Sequence, residues 1–77
     1  MNTFVSATLH RATVTGINGP GPISVTGTKV GDVVVAVILN GTDSEPSVLE
    51  HTITVANQIQ QLGGDHTADT IVAITAR

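Results

Sequence analysis

Two residues in five of this chain branch at Cβ: 12 Thr, 11 Val and 7 Ile among 77. Such side chains are stiff at χ1 and fit a pleated, half-buried surface better than a helix. The chain is therefore constrained to β-sheet before any pattern is read. Phe4 is the single aromatic residue, so the core has to be assembled from small aliphatic groups. At 77 residues there is room for one domain, spanning 1–77. A domain of this size buries only about 60% of its unfolded surface and commonly needs reinforcement. Cysteine is absent, which excludes disulfides and thiolate metal sites. Association with further copies is then the expected reinforcement.

Period-2 patterns place the strands. Thr3 to Thr15 reads as a long first strand, with Val5, Ala7 and Leu9 on one face and Ser6, Thr8 and His10 on the other. Gly16 to Pro22 carries three glycines and two prolines and reads as a turn or loop. A short strand is expected at Ile23 to Thr26. Asp32 to Asn40 is the clearest element: Val33, Val35, Val37 and Leu39 share one face, and Val34, Ala36 and Ile38 the other. Both faces are apolar, so the strand is expected to be covered on both sides, once by its own domain and once by a neighbouring subunit. Asn40 to Pro46 is a polar loop. From Ser47 the pattern resumes, with His51, Ile53 and Val55 alternating with Thr52 and Thr54. Asn57 to Leu62 has two readings, continuation of the strand or one helical turn, of which the strand is preferred. Gly63-Gly64-Asp65 turns, and Thr70 to Ala76 closes the domain. The expectation is an all-β fold, a small sandwich or barrel of five to seven short strands.

Chemistry is scarce. Six acidic residues against Arg11, Lys29 and Arg77 give a formal charge of −3, with no basic stripe for phosphates, so no nucleic-acid partner is expected. No apolar run approaches the ~20 residues of a membrane-spanning helix, so no membrane partner is expected either. His10, His51 and His66 match no metal-ligand spacing, and His66 and Asp69 flank a turn. No serine lies in a nucleophile turn, and Asp43 with Glu45, or Asp65 with Asp69, read as loop carboxylates bonding their own turns. Gly16 to Gly21 lacks the Lys-Ser/Thr ending of a phosphate loop. No enzyme activity, cofactor or metal is expected. Gln58, Gln60 and Gln61 have two readings, pairing across an oligomer axis or facing water. The self-association surface is expected at Val34, Ala36, Ile38, Gln58 and Gln60.

The Gly31-Asp32 turn leading into an apolar strand, the Asn40-Gly41-Thr42-Asp43 loop, Thr52-Ile53-Thr54-Val55, Gln58-Ile59-Gln60-Gln61 and the final Ile/Val strand together resemble small tailed-bacteriophage proteins over residues 23–76. Several of these look like capsid decoration, or cement, proteins. Relatives often carry an aromatic residue where this chain has Leu49. The resemblance implies a homotrimer on the outer capsid surface of the virion, partnered by the major capsid protein and tying capsomers together. Met1, Asn2, Thr3, Phe4 and Val5 are then the expected capsid-contacting segment, since an apolar start is explained if it docks. The alternative is a tail, fibre or receptor-binding module that recognises host glycan or protein through Gly16 to Pro22 and Asn40 to Pro46.

Overall fold

The computed structural model describes Thr3 and residues 6–77. Six strands follow in order: β1 (Leu9–Thr15), β2 (Gly21–Ser24), β3 (Val33–Leu39), β4 (Asp43–Ser44), β5 (Gln58–Gln61) and β6 (Thr70–Ala76). A single 3-10 turn at Pro46–Val48 is the only helical piece among the described residues. All pairings are antiparallel, and they build a four-stranded sheet ordered β1-β6-β3-β4 and a two-stranded sheet, β2-β5. The two sheets share one core. Ile23 and Ile59 face it from the small sheet, Val34, Val37, Ile71 and Ala73 from the large one, with Val48, Leu49 and Ile53 between. The expected all-β domain is what the chain forms.

β1 begins at Leu9 and not at Thr3. Its ladder with β6 runs from Leu9↔Ala76 to Thr15↔Thr70, and Thr8 adds a last reciprocal pair of backbone bonds with Arg77. Among the described residues nothing beyond Thr8 has a strand to pair with. Leu9 itself is 64% exposed, so the expected inward face of this segment is not inward.

The clearest run in the sequence holds the largest departure. Val34 pairs with Thr75 and Ala36 with Ile74, which leaves Val35 as an extra residue in a β-bulge. The bulge shifts the alternation by one. Val34, Val37 and Leu39 turn to the core, Val33, Ala36 and Ile38 turn away, and Val35 is 54% exposed. An unbroken period would have put Val35 beside Val37.

Ser47 to Val55 forms no strand, because its backbone serves both sheets in turn. The Leu62 N–H donates to Val48 O and the Glu50 N–H to Gln60 O, both from or to the β5 region. Then Val34 N–H donates to His51 O, and Ile53 N–H to Asp32 O, on the β3 side. The connector closes one flank of the sandwich, barrel-like, and carries Leu49 and Ile53 into the core at 2% and 1% exposure.

The bulge makes a sharp prediction. Val34→Ala should destabilise by about 2 kcal/mol, from lost methyl burial plus a small cavity, and Val35→Ala by less than about 0.5 kcal/mol. Urea midpoints of the two variants measure this; the opposite ranking would remove the bulge.

Candidate functional site

The larger sheet is apolar on the side away from the core. Residues opposite each other across antiparallel strands share a face, so the registers define that side: Leu9–Ala76–Val33, then Arg11–Ile74–Ala36, then Thr13–Val72–Ile38. Val33, Ala36, Ile38, Val72, Ile74 and Ala76 are half-buried, and Val35 in the bulge is 54% exposed. Arg11 is the one charge in these rows. The outer face of the small sheet is different: Pro22, Ser24, Gln58 and Gln60, with Gln60 Nε2 donating to Gln58 Oε1 at 3.3 Å. One outer face of the sandwich is polar and the other apolar.

This geometry redistributes the expected interface residues. Val34 is a core residue at 6% exposure, which corrects its place on an association surface. Ala36 and Ile38 do lie on the apolar outer face. Gln58 and Gln60 lie on the opposite side of the domain, so no single flat contact can hold all five. Val33, Val72, Ile74 and Ala76 complete the face and went unremarked as such. Their signal was present: Thr70 to Ala76 is apolar in both alternate sets, as Val33 to Leu39 is. The proposed capsid-contacting residues Met1, Asn2, Phe4 and Val5 lie outside the described residues, and Thr3 is exposed.

Polar side chains hold the two ends of the sandwich. At one end Gln61, 1% exposed, points inward from β5 beside Ile59. Its Oε1 accepts from Ile17 N–H at 3.0 Å, and its Nε2 donates to Ile17 O at 2.8 Å, so the amide pairs with Ile17 as a neighbouring strand would. The same Nε2 lies 3.1–3.2 Å from the carbonyls of Gly19, Gly63 and Gly64. Gln61 therefore neither faces water nor reaches an axis; it ties two loops. Close by, His66 Nδ1 lies 2.9 Å from Asp69 Oδ2, and Asn40 Nδ2 donates to Asp69 Oδ1 at 2.9 Å. The Asn40 amide, then His66, holds the Asp69 carboxyl below its ordinary value. An ionised carboxylate only accepts, so Nδ1 carries the proton. Gly16 is required here, since a Cβ on it would meet His66 Cβ at 2.3 Å. Asp65 bonds the amide and hydroxyl of Thr67 within its own turn, which also lowers its pKa.

At the other end Asp32, 3% exposed, accepts from Arg77 Nε at 3.1 Å and Nη2 at 2.8 Å, and from the Lys29 amide at 3.0 Å. The Arg77 guanidinium and then that amide hold Asp32 below the usual carboxylate range. Arg77 Nη2 also donates to Gly27 O at 2.8 Å. Beside it is a shallow depression of about 170 Å³, lined by His10, Thr28, Thr75 and Arg77 among others. That is below the ~300 Å³ at which pockets begin to enclose a small molecule. His10 and His51 are exposed, and no three His, Asp or Glu residues gather as metal ligands among the described residues.

Both locks can be read out. Gln61→Leu leaves the Ile17 amide without its acceptor and should cost about 1–3 kcal/mol in urea unfolding. Asp32, Asp65 and Asp69 each have a folded pKa below the unfolded one. Their stabilisation is complete above about pH 5 and is lost as pH falls through roughly 4 and below. A melting temperature that drops over that acid range, and drops less steeply in Asp32→Asn, is the expected outcome.

No protein-family model, characterised protein or solved structure matches this chain, and its geometry alone bears on what it does.

Proposed function

We propose that this is a structural virion protein, a capsid decoration protein that binds the outer surface of an icosahedral phage head and ties capsomers together. The observation that carries this reading is the apolar outer face built by Val33, Ala36, Ile38, Val72, Ile74 and Ala76. A cement protein needs a rigid scaffold, a self-association surface and adhesive area, and it needs no reaction centre. The proposed assembly is a homotrimer packed through this face, its number taken from the phage resemblance. Met1 to Val5, with Phe4, is the proposed contact to the major capsid protein. Three such contacts in one trimer would gain avidity over a single one, because the second and third bind at high effective concentration.

One feature favours the receptor-binding alternative. Asp69 bonds to Asn40 through its carboxylate and to the Gly16 amide through its carbonyl, so the Gly16–Pro22 and Asn40–Pro46 loops start from the same end of the domain. Those loops carry no aromatic side chain to stack on a sugar ring, which leaves cementing the better-supported reading.

Two measurements test it. Light scattering at micromolar concentration should give a trimer, and Ile38→Lys, a charge set into the apolar face, should lower the mass while leaving the circular dichroism spectrum unchanged. Copy number in the intact virion should run to hundreds on the head, with heads lacking the protein rupturing at lower temperature. A few copies at the tail would instead support receptor binding.

A further inference from the structure

β1 is an edge strand with no neighbour on its far side among the described residues. Its bonds to β6 are fixed at both ends: Thr8 exchanges two with Arg77, and the Gly16 N–H donates to Asp69 O. Alternation then commits His10, Ala12 and Val14 to β6 and turns the N–H and C=O groups of Leu9, Arg11, Thr13 and Thr15 outward. Four donors and four acceptors line this edge over seven residues, interrupted by neither proline nor bulge. The sheet's other edge is guarded: β4 has two residues, one of them Asp43, and Glu45 follows. Short, charged edges resist strand addition, and long regular ones invite it.

We propose that the β1 edge pairs antiparallel with β1 of a second copy, about a two-fold axis through Ala12. In that register Leu9 meets the partner's Thr15 and Arg11 meets the partner's Thr13, reciprocally, so all eight outward groups are bonded. The side chains select this register over its neighbours. Centring the axis on Arg11 would set two guanidinium groups directly opposite, which is unfavourable. Centring it on Thr13 leaves Leu9 unpaired, and a one-residue slip turns the partner's faces over. At Ala12 the axis carries two methyl groups, and the apolar outer faces of both copies continue across one eight-stranded sheet. The contact uses the edge and not the outer face, so it stands apart from the virion reading. With a face-packed trimer it would join trimers in pairs.

Ile38→Lys, which places a charge on the outer face away from β1, isolates the edge contact in solution. In sedimentation this variant should remain a concentration-dependent dimer, with the amides of Leu9, Arg11, Thr13 and Thr15 slowing in hydrogen exchange as the dimer forms. Adding Thr13→Pro removes an outward N–H without touching the β6 ladder, and proline is tolerated at such edge positions. It should weaken dimerisation roughly ten- to hundredfold, the loss of about one bond on each side of the axis. Thr13→Lys, a residue that natural edges use against pairing, should do the same if the proline variant folds poorly. An Ile38→Lys variant that is monomeric up to about millimolar concentration overturns the proposal. So does a dimer whose four edge amides exchange as fast as in the monomer, or one indifferent to both Thr13 variants.

Discussion

A chain this short can cover only one face of its own larger sheet. Four strands form that sheet and two form the other, so β2 and β5, with the connector through Leu49 and Ile53, seal one side, and among the described residues no strand remains for the second. Covering the second side from within would need a further layer, which domains of this size cannot supply. The division of labour follows from that constraint: Ile71 and Ala73 are inside, and their neighbours Val72 and Ile74 are apolar yet outside.

The same shortage of mass explains the polar interior. With one aromatic residue and no cysteine, the ends of the sandwich cannot be closed by bulky side chains or cross-links. Gln61 closes one end by imitating a strand, and the Asp32–Arg77 pair closes the other by joining positions 45 residues apart. Among the described residues no buried side-chain polar atom is left without a partner. That completeness matters, because an unpaired amide or carboxylate in so small an interior would offset much of the aliphatic packing.

The fold class was legible because β-branched residues and period-2 runs are local properties. Thr70–Ala76 was read within its bounds for that reason, and the strand reading of Asn57 to Leu62 holds for Gln58–Gln61 at its centre. The bulge at Val35 was not legible, since seven consecutive apolar residues look alike whichever way each one faces; only pairing with β6 decides. His51 to Val55 alternates like a strand, but Pro46–Val48 is a 3-10 turn and the backbone from Val48 to Ile53 bonds to two different sheets, which no local pattern records. Arg77 closing on Asp32, and Gln61 closing on Ile17, depend on partners 45 and 44 residues away. His66 and Asp69 are three apart and visible as a pair, yet their contact needed the turn geometry to bring them to 2.9 Å.

β6 is the last strand along the chain, and it sits between the first and the third. β1 and β3 have no ladder with each other, so neither gains its long-range partner until residues 70–76 have been made. During synthesis the Val-rich β3 segment therefore waits with its apolar side chains unprotected while some thirty later residues are added. Contacts this distant in sequence also make folding slow relative to chain length, because loop closure has to precede the pairing. That interval sets a need for rapid completion or for chaperone cover, and it locates the hazard in the segment from Val33 to Leu39.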